Sequence, residues 1–182
     1  MQETGTRINK YMSQCGYCSR READRLIEKG EVWINGTLAT MGTKVMPGDT
    51  VMVHHTTITP CQKEYLLAFH KPAGIVCTTS KIDKNNVIDY LNFPERIYPV
   101  GRLDKESTGL LLLTNNGQLM DDILRGSNYH EKEYIVHVNK PITDSVLQAM
   151  AQGVPILDTI TRPCKIRRMG KDCFYITLTQ GL

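Results

Sequence analysis

Apolar residues recur at helical spacing in the first thirty positions, whereas the rest of the chain alternates or runs apolar in short stretches. Ile8, Tyr11, Met12 and Cys15 share one face of a helix predicted over residues 7–14, and Gly16 offers the left-handed stop that ends such helices. Ser19-Arg20-Arg21-Glu22 is a capping box, in which serine and glutamate each reach a backbone N–H of the other. A second helix is predicted from there, turning Ala23, Leu26 and Ile27 inward and ending at Gly30. Val32-Trp33-Ile34 and Thr50-Val51-Met52-Val53 read as short strands joined through the Pro47-Gly48-Asp49 turn. A helix pair followed by a small antiparallel sheet is the expected form of residues 1–55.

From Thr56 to Glu64 the periodicity is lost and Pro60 intervenes, so residues 56–64 are expected to be a linker and residues 65–182 a second domain. In it, residues 66–69, 98–100, 110–113, 134–138 and 174–178 read as strands, and residues 87–91, 118–124 and 144–151 as helices, the last capped by Thr143. Strands interrupted by isolated helices indicate an α+β fold with a mixed, mainly antiparallel sheet. Leu110 to Leu113, the most apolar run in the chain, is expected to be buried on both faces and to act as a rigid mount for the polar loop ahead of it.

Composition changes this picture little. With 182 residues, 41% of them hydrophobic, the chain has ample material for a packed core, and no apolar run approaches membrane-spanning length. The N-terminus has no charged-then-apolar segment, which points to a cytoplasmic protein rather than an exported one. A formal charge of +3 is only mildly basic, so any nucleic-acid contact must come from clustered cations. The six cysteines are expected to stay reduced, and Cys15-Gly-Tyr-Cys18 lacks the second close pair a zinc site requires; no metal is expected.

Two clusters carry chemistry. Arg20 and Arg21 occupy the first turn of the second helix, where the backbone already presents positive partial charge, and Arg25 continues the strip one turn on. Phosphate oxygens would turn that unfavourable placement into a binding surface; the alternative is a solvated face balanced by Glu22, Asp24 and Glu28. In the loop of residues 101–109, Asp104 is flanked by Arg102 and Lys105, either as solvated turn chemistry or as a mounted reactive carboxylate. Lys71-Pro72 reads as strand-end turn chemistry with a structural role.

Gly101-Arg102-Leu103-Asp104, then Ser107-Thr108-Gly109-Leu110-Leu111 and Thr114-Asn115-Asn116-Gly117, resembles the catalytic signature of bacterial ribosomal pseudouridine synthases of the RsuA and RluF type. His70-Lys71-Pro72-Ala73-Gly74 is similar to the strand end that precedes that signature, and Glu131-Lys132-Glu133-Tyr134-Ile135 to the strand bearing the family's active-site tyrosine. Arg7-Ile8-Asn9-Lys10-Tyr11, Cys18-Ser19-Arg20-Arg21-Glu22 and Val32-Trp33-Ile34-Asn35-Gly36 resemble an S4-like RNA-binding domain.

The resemblance implies conversion of a uridine to pseudouridine in ribosomal RNA, most directly the 23S large-subunit RNA, with tRNA as the other candidate partner. No cofactor is implied. Asp104 takes the catalytic role, as nucleophile or as base toward the ribose; Tyr134 stacks on the base; Arg102 holds the extruded nucleotide. Arg7, Lys10, Arg20, Arg21 and Arg25 become phosphate contacts. Period-two alternation independently places Lys132, Tyr134, Val136 and Val138 on one strand face. The resemblance stops at residues 179–182, where family members continue into an arginine-rich segment that pairs with the aspartate. This chain is therefore expected to be a C-terminally truncated form in which a partly buried Asp104 lacks its partner, and the alternative reading is a non-catalytic RNA-binding protein. Oligomeric state is left open.

Overall fold

The computed structural model describes residues 5–61, 63–80, 82–125 and 129–179. The chain forms two compact units, residues 1–120 and 121–182.

In the first unit, β1 (Thr6–Arg7) runs straight into α1 (Ile8–Gln14), which buries Ile8 and Met12 and stops where Gly16 adopts φ 70°. The helix starts one residue later than its apolar spacing suggests, because Arg7 is extended and pairs with Lys44. α2 (Arg20–Glu28) begins with the serine half of its capping box: the Ser19 hydroxyl accepts the Glu22 N–H at 3.1 Å, while the Glu22 carboxylate accepts from Arg25 at 3.1 Å. β2 (Val32–Ile34), β3 (Thr37–Leu38), β4 (Lys44–Val45), β5 (Val51–Val53) and β6 (Thr56–Ile58) follow. Four of them make an antiparallel sheet in the order β3-β2-β5-β6, and β4 pairs with β1.

Residues 56–58 thus belong to the sheet and not to the linker that loss of periodicity suggested. His54 and His55 take positive φ to close a tight hairpin, the β-branched Thr56-Thr57-Ile58 extends along β5, and Ile58 enters the core. That core joins Ile8, Met12, Ala23, Leu26, Ile27, Val32, Val51 and Val53.

Later in the same unit, β7 (Leu66–Lys71), α3 (Val87–Leu91), β8 (Tyr98–Val100) and β9 (Gly109–Thr114) build an antiparallel sheet in the order β7-β9-β8. Asn86 caps α3 by accepting the Ile88 and Asp89 N–H groups. Leu111 and Leu113 pack with Cys77, Val87 and Ile97 on one side of the sheet. The opposite side is open: Leu110 is 67% exposed, beside exposed His70. The expected burial on both faces is therefore corrected to one. A short apolar run reads the same whether helices cover one side of its strand or two, and here the core forms on one. The Ser13 and Tyr98 hydroxyls lie 3.1 Å apart, linking the helix pair to β8.

α4 (Gly117–Leu124), whose first N–H groups bond the Asn116 side chain, contains the division between units. In the second unit β10 (Lys132–His137), α5 (Asp144–Ala151), β11 (Pro155–Ile156), β12 (Thr159–Ile160), β13 (Lys165–Arg168) and β14 (Cys173–Leu178) follow in order. The sheet is antiparallel, β10-β14-β13, and α5 packs on it through Leu147 against Phe174 and Ile176. Thr143 caps α5, as its position ahead of the helix suggests. β11 and β12 form a separate hairpin between α5 and the sheet strands. Among the described residues no helix is long and apolar enough to cross a membrane.

Candidate functional site

The loop of residues 101–108 joins β8 to β9 and carries Arg102 and Asp104, both exposed. Its shape is set by the residues between and beyond them. Leu103 turns inward against the sheet core, and its N–H donates to the Cys77 sulfur at 3.4 Å. Lys71, at the end of β7, is wholly buried, and its Nζ donates to the carbonyls of Pro72 at 2.9 Å, Lys105 at 3.0 Å and Ser107 at 2.7 Å. The Gly74 N–H donates to the same Lys105 carbonyl at 2.8 Å. Asp104 therefore projects outward from a segment pinned on both sides.

Burying a lysine is costly unless every donor finds a partner, and here all three do. The structural role read from Lys71-Pro72 is present but its physics is different: the side chain staples two strand ends that lie 36 residues apart, at Lys71 and Ser107, rather than shaping a local turn. Nothing in the local sequence distinguishes such a lysine from a solvated one.

One expectation for Asp104 parts company with the structure. The carboxylate is exposed rather than partly buried, because the inward-facing anchors are its neighbours Leu103, Lys105 and Ser107 and the loop turns at Asp104, whose carbonyl accepts the Ser107 N–H at 3.1 Å. Its side chain also makes no hydrogen bond or ion pair among the described residues, with Arg102 and Lys105 included.

Tyr134 lies on β10 in the second unit, opposite Ile176. The strand register puts Lys132, Tyr134 and Val136 on the face that meets Ile176 and Leu178, as period-two alternation predicts. The ring is 46% exposed and lines a groove of about 520 Å³ together with Lys132, Met150, Ile156, Ile176 and Leu178. An aromatic ring with an apolar flank and an accessible edge can take a flat heterocycle against it.

In the helix pair, Arg7, Lys10 and Arg20 converge with Asn9 on a hollow of about 370 Å³. The sequence offered no geometric link among these three cations; β1 and the cap of α2 bring them together. Arg21 is exposed on α2, and Arg25 is held by Glu22 at 3.1 Å, which makes it the least available of the five candidates. Nearby, burial pushes the Cys15 and Cys18 thiols each up to about 11, so both stay protonated at neutral pH, as inert filler would.

Comparison with known proteins matches residues 65–169 to the family described as RNA pseudouridylate synthase and residues 6–51 to the S4 domain. The chain is 50% identical over 182 residues to the dual-specificity RNA pseudouridine synthase RluF of Escherichia coli strain K12, covering 99% of this chain and 63% of that protein. It is 32% identical over 170 residues to ribosomal large subunit pseudouridine synthase B of Bacillus subtilis, covering 91% and 69% of the two. A crystal structure of a pseudouridylate synthase superposes with a TM-score of 0.61 at 26% identity, covering 97% of this chain and 78% of the other. The chain thus spans somewhat less than two thirds of the length of its RluF relatives.

Proposed function

The chain belongs to the RNA pseudouridylate synthase family, with an S4 domain ahead of the synthase region, and from that premise we propose that it isomerises a uridine of ribosomal RNA to pseudouridine in the bacterial cytoplasm. The 23S RNA of the large subunit is the proposed substrate, in keeping with the large-subunit name of the Bacillus subtilis relative. The observation that carries the reading is the exposed carboxylate of Asp104, without a side-chain partner among the described residues, on a loop pinned by Lys71.

In this reaction the N1–C1′ bond breaks, the uracil turns, and a C5–C1′ bond forms; C5 loses its proton and N1 gains one. Asp104 acts on the ribose, as nucleophile at C1′ or as base. Tyr134 stacks on the detached uracil and keeps it from leaving, and Arg102 supports the extruded nucleotide. Extrusion costs a few kcal/mol, and the helix pair offsets it by holding the RNA through Arg7, Lys10, Arg20 and Arg21, with Arg25 contributing once it leaves Glu22. The helix-pair module through residue 58 grips and the synthase region from residue 65 reacts, in this division of labour.

A second reading has its own observation. No cation pairs with Asp104 among the described residues, and a chain of this extent acting only as an RNA binder would look the same. Tritium release from C5-labelled uridine in ribosomal RNA separates them. The chain is expected to release label and Asp104→Asn to release none while binding RNA equally. Salt-dependent binding without release by either protein would leave the binding reading standing.

A further inference from the structure

Strand β10 and the residue before it sort their charges by face. Glu131 and Glu133 are engaged on one side of the sheet: Glu131 bonds the Lys165 ammonium at 2.9 Å, and Glu133 stands in the cross-strand row Glu133, Thr177, Lys165. Glu133 also accepts from the Tyr175 hydroxyl, a bond that holds the phenol above its ordinary range. Lys132 and Tyr134 fall on the other side, where both line the groove with Ile176 and Leu178. Alternation along a strand assigns residues to faces but does not decide their sign. Here both carboxylates go one way, and the lysine goes the other with the tyrosine.

The groove's described lining contains no carboxylate. Its other cation, Arg162, lies over the Tyr129 ring at 4.5 Å. The Lys132 side chain is exposed and makes neither a hydrogen bond nor an ion pair among the described residues. A lysine lays its stem along apolar surface and keeps its charged head in water, so Lys132 brings a cation with no carboxylate beside it to the rim of a largely apolar groove.

Two strand positions set Lys132 and Tyr134 roughly 7 Å apart along β10. A nucleotide has the same layout, a flat ring joined through one sugar to a phosphate. A neutral base alone offers the ammonium nothing to bind, whereas a nucleotide is held at both ends, by stacking and by charge. β10 lies at one edge of its sheet, and a lysine there also hinders pairing with another chain. Edge protection, however, requires neither a particular face nor freedom from carboxylates.

We infer that Lys132 is a further nucleotide-binding residue of the Tyr134 groove: its ammonium takes the phosphate of the nucleotide whose base stacks on Tyr134, so the groove receives an anionic nucleotide and not a bare base. The inference rests on the synthase reading above.

Lys132→Met in the full chain is the test, because methionine keeps an apolar stem and removes the charge. Binding to a fluorescein-labelled stem-loop transcript of large-subunit ribosomal RNA is followed by anisotropy between about 50 and 200 mM salt. Lys165→Met, on the opposite face of the same sheet, and Arg20→Ala/Arg21→Ala are measured alongside. Lys132→Met is expected to weaken binding and to make the dependence of log affinity on log salt shallower by about 0.7, the value of one phosphate contact on a single strand. The loss should shrink in a Tyr134→Leu background, since both side chains hold one nucleotide. Lys165→Met should leave the slope unaltered.

An unchanged slope in Lys132→Met, with weakened binding in the arginine variant, overturns the contact and leaves the RNA reading intact. An equal drop in Lys165→Met, or a loss that stays the same without the Tyr134 ring, makes the effect a general field and overturns the assignment to the groove. A larger sedimentation mass in Lys132→Met at unaltered slope assigns the lysine to edge protection and likewise overturns it. No RNA binding by the unaltered chain overturns both readings.

Discussion

The helix-pair module and the second unit are of similar length but differ in what they do with their apolar side chains. Residues 5–58 gather twelve buried side chains into one core, with Met12, Ala23, Val32, Val51 and Val53 wholly inaccessible. Among the described residues of 121–182 the core proper is Leu147, Phe174 and Ile176, and Tyr134, Ile135, Ile156, Leu157 and Ile160 remain exposed around an open groove. The first has closed its surface and offers partners charge. The second keeps apolar surface exposed around its groove. Between them in sequence lies the Asp104 loop, which resembles neither: its charged side chains face out while a buried amino group secures its backbone.

The sharpest way to break this contrast is at Lys71. Lys71→Ala should cost about 4 kcal/mol, since three buried carbonyls lose their donor and a cavity replaces the side chain. Urea unfolding of the full chain measures it, and a cost below about 1 kcal/mol would mean that the loop is held by something else. Next, Met12→Ala should cost about 3 kcal/mol and Leu147→Ala about 2, because the second core is shallower and can relax around the loss. Trp33, the single tryptophan, reports the first module by fluorescence, and hydrogen exchange over residues 144–151 and 173–178 reports the second. Equal costs would erase the proposed difference between the two cores.

The smallest effect is a pH dependence in the first module. The Cys15 and Cys18 thiols are raised to about 11 in the folded chain, chiefly by burial, above their usual range near 9. The folded state thus prefers them protonated. Their contribution is fully present below about pH 9 and is lost as pH rises toward 11. Trp33 fluorescence in urea should show stability falling over that interval, and the slope should flatten in Cys15→Ala/Cys18→Ala. A slope unaltered by the double substitution would assign the loss to other groups.

How much of this could be read in advance follows from which forces are local. The capping box at Ser19, the left-handed stop at Gly16 and the Thr143 cap are settled within four residues, and each appears where the sequence places it. The α+β class and the strand faces around Tyr134 follow from periodicity. Leu110 was harder, since exposure of an apolar strand residue depends on which side of the sheet the distant α3 covers. For Lys71 the structural role was legible but two of its three partners, the Lys105 and Ser107 carbonyls, were not, because they lie more than thirty residues away. The β11–β12 hairpin escaped because two-residue strands leave no period to detect, and its apex lacks the glycine or asparagine that marks such turns. Of the proposed site, the candidate residues come from motifs, whereas the hollow joining Arg7, Lys10 and Arg20 needed the fold.

The Lys71 staple has a consequence for the chain's survival in a cell. Arg102-Leu103 and Lys105-Glu106 are peptide bonds that trypsin-like proteases favour, displayed on an exposed loop. A protease must draw several residues into its own cleft in extended form, and Leu103, Lys105 and Ser107 are tied inward by a sulfur contact and two carbonyl bonds to Lys71. Those bonds can be cut only after β7 and β9 come apart, so the loop is shielded from digestion by the sheet to which it is fastened while its acidic side chain stays exposed.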